Sequence, residues 1–118
     1  MPEIPENIKI ALRALDSKKA QDIKLLHVTK QTIIADWFII AGGSSVTQTR
    51  ALADEVEFKL KEAGITPKNI EQDKGHLWII LDYYDFLIHV FHKDTREFYD
   101  LERLWRDAED VDLSGVLG

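Results

Sequence analysis

The aspartates Asp82 and Asp85 are separated by two tyrosines in the segment WIILDYYDFLIHVF, residues 78–91. Two carboxylates this close in sequence can act as a general acid and a general base. Such chemistry also requires a nucleophile or a group that stabilises an oxyanion, and the sequence places neither beside them. The pattern therefore favours a binding role for the two carboxylates over a catalytic role.

A second candidate for chemistry begins at Gly42-Gly43-Ser44 and continues with Glu55 and Glu57. These residues resemble the signature of nucleotidyltransferases, in which carboxylates two positions apart on a strand hold two metal ions. Here both glutamates fall in a helical pattern, where positions two apart differ by about 200° around the axis. They therefore cannot both bind one metal pair. The backbone N–H groups after Gly43 stay a candidate anion site, although the lysine of a P-loop is absent.

The four histidines do not predict a metal site; they are His27, His76, His89 and His92. His89 and His92 are three residues apart on or beside a predicted strand, so their side chains point to opposite faces. His89 is instead predicted to be a contact residue or a half-buried histidine. Neither a metal nor a cofactor is predicted for this chain.

Residues 77–82 and 86–91 are rich in apolar, β-branched and aromatic side chains, which predicts two strands with a turn at Tyr83 and Tyr84. In that register Trp78 lies opposite His89. One face is wholly apolar and is expected to face the core; it carries Leu77, Ile79, Leu81, Phe86, Ile88 and Val90. The other face is mixed and carries Trp78, Ile80, Asp82, Asp85, Leu87 and His89. The mixed face is either covered by a helix or is a surface on which Trp78 anchors a partner.

The remaining elements follow from apolar spacing and from turn residues. Helices are predicted after Pro5, after a capping box formed by Ser45 and Gln48, and from Asp94 or Thr95. Further strands are predicted at 23–28, 33–41 and 67–72. The order α-β-β-α-β-β-β-α predicts an α/β or α+β fold, with a mixed five-stranded sheet flanked by helices, in a single domain over 1–108. Residues 109–118 are acidic, contain two glycines and are predicted to form a flexible tail.

Composition excludes several classes of function. The chain has no cysteine, so a disulfide scaffold, Cys-ligated zinc, an iron–sulfur cluster and a cysteine nucleophile are excluded. No apolar run approaches the roughly 20 residues of a membrane helix, and the N-terminus lacks a signal run, so a cytoplasmic protein is expected. The net charge of −6 disfavours direct nucleic-acid recognition and favours a basic protein partner.

Three blocks of sequence, in this order, carry a resemblance to a known family. They are ADWFIIAGGS at 35–44, WIILDYYDFLIHVF at 78–91 and REFYDLERLW at 96–105. With them, the chain from about residue 8 to 108 resembles the ribosomal silencing factor family RsfS, also called Iojap. The resemblance implies a fold related to nucleotidyltransferases that lacks their catalytic carboxylates, and therefore a protein that is not an enzyme.

The resemblance also implies partners. It implies a homodimer in isolation and binding to ribosomal protein fourteen of the large ribosomal subunit, which blocks joining of the small subunit and represses translation when nutrients are short. Alternatives are an assembly factor of the large subunit and a cryptic nucleotidyltransferase.

The family motif places five positions of this chain in the partner-binding region: Trp78, Asp82, Tyr83, Asp85 and His89. The family commonly has glycine where this chain has Tyr84. Because glycine permits positive φ in a hairpin turn, a tyrosine makes the same turn less favourable.

Overall fold

The computed structural model describes residues 4–27, 36–75, 78–92, 109–111 and 113–117. The helices in these residues are α1 (Glu6–Ser17), α2 (Val46–Glu62) and α3 (Ser114–Leu117). The strands are β1 (Gln21–His27), β2 (Trp37–Gly43), β3 (Asn69–Gln72), β4 (Trp78–Asp82), β5 (Phe86–His92) and β6 (Glu109–Asp110). The helix predicted from Asp94 or Thr95 lies outside the described residues. None of the helices described is long and apolar enough to cross a membrane.

The strands form one mixed sheet in the order β3-β4-β5-β2-β1-β6. β2 and β5 run parallel, and the other neighbouring pairs run antiparallel. The predicted fold class is therefore confirmed, and all five predicted strands are present beside the additional strand β6. The predicted hairpin of the first two strands is also found, because β1 pairs antiparallel with β2.

Helices α1 and α2 contribute to the same core as one face of the sheet. The apolar stripe of α1 is buried through Ile8, Ala11, Leu12 and Leu15. Ser45 caps the start of α2, and its hydroxyl accepts a hydrogen bond from the Gln48 N–H at 3.0 Å. This half of the predicted capping box is present and satisfies one of the N–H groups that a helix start leaves without a partner, whereas the Gln48 side chain accepts from the Ser44 N–H instead of the Ser45 N–H.

The division of the β4–β5 hairpin into two faces is confirmed. On the face towards the helices the described residues are buried, namely Ile79, Leu81, Phe86, Ile88 and Val90. The opposite face was predicted to be mixed. Its described strand residues are half-buried, namely Trp78, Ile80, Asp82, Leu87 and His89. We call this opposite face the second sheet face.

The predicted register of the hairpin is wrong by two residues. Trp78 lies opposite Phe91 and not opposite His89, whereas His89 lies opposite Ile80. The turn is accordingly centred on Tyr84 and Asp85, one residue later than predicted. A shift of two residues leaves every strand side chain on its original face, because side chains alternate with a period of two. The pattern of apolar residues is therefore the same in both registers.

The C-terminal segment is not the loose tail predicted from its acidic composition. Glu109–Asp110 pairs antiparallel with Leu26 and His27 of β1. The Val111 N–H donates to the Leu25 carbonyl at 2.9 Å, and Val111 is buried in the core. Three more apolar side chains lie half-buried against the same core, namely Leu113, Val116 and Leu117. The described residues of this segment are therefore held to the fold by apolar contacts as well as by strand pairing.

Candidate docking surface

The second sheet face is apolar at its centre and partly open towards β4. Phe38 and Ile40 of β2 and Phe91 of β5 are buried there. On the β4 side, Trp78 and Ile80 are half-buried. We define the docking surface by its residues: the strand residues Trp78, Ile80, Asp82 and Leu87 and the exposed turn residues Tyr84 and Asp85.

Trp78 stands at the start of β4 with its backbone held in place. Its N–H donates to the Asp73 carboxylate at 3.1 Å, and its carbonyl accepts from the Asp73 N–H at 3.4 Å. A half-exposed indole on a fixed backbone can bury a large area against a partner at little entropic cost. Trp78 therefore meets the physical requirements of an interface anchor, and its contact with a partner stays a prediction.

His89 lies further inside the second sheet face. Its ring is 5.0 Å from the Phe38 ring and 6.2 Å from the Phe91 ring. Both ring nitrogens are buried and have no hydrogen-bond partner among the described residues, although part of the residue reaches solvent. Burial lowers the pKa of His89 from 6.5 to about 4, so the imidazole is neutral at pH 7. His89 is therefore an apolar-packed ring rather than an exposed charge.

Asp82 organises the turn of the hairpin. Its carboxylate accepts a hydrogen bond from the Tyr84 N–H at 2.9 Å, and its carbonyl accepts one from the Lys68 N–H at 2.7 Å. Tyr84 has φ +71°, a backbone conformation that residues other than glycine rarely adopt. The Asp82 contact therefore supports a strained turn, and Asp82 lies opposite Leu87 of β5.

Asp85 connects the turn to β2. Its carbonyl accepts hydrogen bonds from the N–H groups of Asp36, at 2.8 Å, and Trp37, at 3.3 Å. Its side chain is exposed. These hydrogen bonds fix the backbone of Asp85, and its carboxylate therefore lies exposed at the tip of the hairpin.

Tyr83 lies on the side of the core. It is 4% exposed, and its ring stacks on Phe86 at 5.1 Å. Its hydroxyl is buried, and no residue in the described part of the chain forms a hydrogen bond with it. Burial, with a smaller contribution from the nearby Glu57 carboxylate, raises the pKa of Tyr83 to about 12. The structure thus separates Tyr83 from Trp78, Asp82 and Asp85, since it points to the opposite side of the sheet.

The exposed ring at the turn belongs to Tyr84, which is 62% exposed. The Lys68 ammonium lies 5.9 Å from its centroid, within the range of a cation–π contact. The missing turn glycine was the sequence signal for Tyr84, whereas no local pattern pointed to Lys68. Lys68 reaches the turn only because β3 pairs with β4.

The first N–H group of the candidate anion site after Gly43 is used within the chain. The Gln48 side-chain oxygen accepts hydrogen bonds from the Ser44 N–H and from the Ser44 hydroxyl. The Gln48 side-chain NH₂ donates to the carbonyls of Lys18 and Lys19 at 3.2 and 3.1 Å. These contacts tie the start of α2 to the end of α1 and leave the Ser44 N–H no free hydrogen to offer an anion.

The two glutamates of the nucleotidyltransferase-like pattern both lie on α2, as predicted. Glu55 is 3.8 Å from the Lys18 ammonium, whereas Glu57 approaches Tyr83. The two carboxylates therefore face different neighbours and do not converge on one site. Within the described residues, no group of three His, Asp or Glu side chains has the arrangement of a metal site.

The family model for the ribosomal silencing factor during starvation, RsfS, matches residues 1–117. The ribosomal silencing factor RsfS of Halalkalibacterium halodurans is 40% identical over 112 residues, which cover 95% of this chain and 96% of that protein. A crystal structure of a Chromobacterium violaceum protein has a TM-score of 0.83 at 38% identity and covers 88% of this chain and 87% of its own.

A more distant relative is the mouse protein named mitochondrial assembly of ribosomal large subunit protein 1. It is 28% identical over 102 residues, which cover 84% of this chain and 45% of that protein. The match over nearly the whole length, together with the bacterial relative at 40% identity, shows that this chain belongs to the RsfS family of ribosomal silencing factors.

Proposed function

We propose that this chain binds the large ribosomal subunit through ribosomal protein fourteen in the cytoplasm, blocks joining of the small subunit and so represses translation. The observation that carries the proposal is the RsfS family match over residues 1–117. In this mechanism the protein acts by occupying space and catalyses no reaction. The large-subunit partner is supported by the family and by the name of the mouse relative.

The docking surface supports a protein partner. Trp78, Ile80 and Leu87 offer half-buried apolar area that a partner can cover. Asp82 and Asp85 place two carboxylates at one end of this area. Interfaces of this kind combine an aromatic anchor with charges at the rim, and a chain of net charge −6 complements a basic protein.

Tyr83 and His89 act in this proposal through their neighbours. His89 packs against Phe38 and Phe91 beneath the half-exposed residues of the second sheet face. Tyr83 precedes the turn, and its carbonyl accepts the Asp85 N–H at 2.9 Å. Both therefore position parts of the docking surface, whereas Trp78, Asp82 and Asp85 contact the partner.

Sedimentation of the purified protein with separated ribosomal subunits tests the proposal. We expect the protein to travel with the large subunit and to reduce the amount of intact ribosome when the small subunit is added. Binding is expected to weaken moderately with salt. Tight binding to isolated ribosomal RNA, without binding to isolated ribosomal protein fourteen, would contradict a protein-directed mechanism.

A role in large-subunit assembly is the second candidate, and the name of the mouse relative favours it. The two functions differ in what accumulates when the protein is removed from cells. An assembly factor leaves incomplete large subunits, whereas a repressor leaves complete subunits that join more readily. Sucrose-gradient profiles of depleted cells distinguish the two outcomes.

A cryptic nucleotidyltransferase is the enzymatic alternative. Glu55 and Glu57 of α2 face different neighbours, Lys18 and Tyr83, and Gln48 accepts the Ser44 N–H in the turn after Gly43. This geometry disfavours a nucleotidyltransferase site. Calorimetry with magnesium and a nucleoside triphosphate tests it directly. Stoichiometric binding would favour the enzyme over the repressor.

We also propose that the free protein is a homodimer. All four residues of the edge strand β3 are exposed, and such an edge offers unpaired backbone groups to another chain. Light scattering at micromolar concentration is expected to give a mass above that of the 13.6 kDa chain. A monomer throughout that range would contradict the proposal.

A further inference from the structure

A groove of about 430 Å³ lies between α2 and the segment that leads into β3. Since α2 packs on the core side of the sheet, the groove is on the side opposite the second sheet face. Its volume is within the range of protein sites that bind small groups. The residues that line it are Asp54, Glu57, Phe58, Lys61, Thr66 and Pro67.

The groove exposes an aromatic ring that the fold does not require. Phe58 is 56% exposed, although it lies on a helix whose stripe of Leu52, Val56 and Leu60 is fully buried. The Lys59 ammonium is 5.8 Å from the Phe58 ring centroid. The ring therefore already lies near one cation, as expected of an aromatic face with a negative quadrupole.

The groove also holds negative charge that its surroundings leave without an ion pair. The ion pairs formed by carboxylates of α2 use Glu55 and Glu62, and neither Asp54 nor Glu57 has one among the described residues. Lys61 is the single basic side chain among those that line the groove. The lining thus carries two carboxylates against one ammonium, so it favours a cation.

We propose that this groove binds an arginine-bearing segment of a basic protein partner. The guanidinium stacks on Phe58 and faces Asp54 and Glu57, while the aliphatic part of the segment lies on Pro67. Arginine suits the site better than lysine because its planar, weakly hydrated group stacks on aromatic rings and still donates to carboxylates. None of the described residues that line the groove belongs to the docking surface.

Titration of the whole chain with the peptide acetyl-Arg-Leu-Arg-amide, followed by amide NMR shifts, tests this proposal. The largest shifts are expected at Asp54–Lys61 and at Thr66. The double variant Asp54→Asn, Glu57→Gln is expected to bind the peptide about tenfold more weakly, and Phe58→Ala by a similar factor. These residues are exposed or half-buried, so the melting temperature is expected to stay close to that of the parent.

The double variant Asp16→Asn, Asp22→Asn is the matched control, because it removes two exposed carboxylates elsewhere and changes the net charge equally. It is expected to change peptide affinity less than about twofold, as distant exposed charges are screened. Equal weakening in both double variants would reduce the effect to net charge and overturn the proposal. So would an unchanged affinity in Phe58→Ala, or tighter binding of a single-stranded oligonucleotide than of the peptide.

The result is independent of the ribosome proposal. Phe58→Ala protein that still sediments with large subunits, while it loses the peptide, supports a second site. If Trp78→Ala protein no longer sediments with large subunits but still binds the peptide, this also supports a second site apart from the docking surface.

Discussion

The Asp82 carboxylate accepts a hydrogen bond from the Tyr84 N–H at 2.9 Å and thereby holds the turn between β4 and β5. Tyr84 has φ +71° at this turn. The carboxylate that the sequence marked as a charge for a partner is thus also a structural acceptor. Binding and folding effects of Asp82 must therefore be measured separately.

Asp82→Ala is expected to lower the free energy of unfolding by about 1 kcal/mol, because the Tyr84 N–H loses its acceptor. Asp82→Asn keeps an oxygen at the same position and is expected to lose much less stability. It also removes the negative charge, so its affinity for large subunits reports the charge alone. Urea unfolding of the two variants is the measurement, and equal destabilisation by both would contradict the hydrogen-bond role.

Tyr84→Gly is expected to be more stable than Tyr84→Ala by about 1 kcal/mol. Both variants remove the ring and its contact with Lys68, but only glycine adopts positive φ without a steric penalty. The pair therefore isolates the backbone strain at this residue. Thermal or urea unfolding measures it, and an alanine variant as stable as the glycine variant would argue against strain.

Trp78→Ala is expected to weaken large-subunit binding by about 2 kcal/mol or more, roughly thirtyfold, while most of the stability is kept. Leu81→Ala is the opposite case, because Leu81 is 1% exposed in the core. It is expected to lose about 2–5 kcal/mol of stability. Melting temperatures and sedimentation compare the two, and the docking hypothesis fails if Trp78→Ala lowers the melting temperature as much while its folded fraction binds normally.

His89 is expected to make the protein less stable in mild acid. Its pKa is about 4 in the folded protein and 6.5 when exposed, so the unfolded chain binds the proton first as the pH falls. The contribution of His89 to the free energy of unfolding is complete above pH 6.5 and is lost progressively as the pH falls to about 4. From pH 7 to pH 5 the loss is about 2 kcal/mol.

His89→Phe is expected to remove this part of the pH dependence. It also removes two buried ring nitrogens that form no hydrogen bond with any described residue, and a phenyl ring retains the contacts with Phe38 and Phe91. Urea unfolding at pH 7 and pH 5 compares the variant with the parent. The same slope in both proteins would show that other groups determine the acid sensitivity.

Local pattern was sufficient for several features of this fold. The cap of Ser45 on α2 depends on two residues three apart in sequence. The two faces of the hairpin depend on alternation alone. Such features involve neighbours in sequence, so their physical causes are visible in a short window.

The sequence by itself determined which hairpin side chains face the core, that Ser45 caps α2 and which family motif the chain carries. Only the tertiary structure decided the pairing of Trp78 with Phe91 and the burial of Val111. A two-residue shift leaves alternation unchanged, so the contacts of the turn set the register. Val111 sits in an acidic segment, and its burial depends on pairing with a strand more than eighty residues earlier.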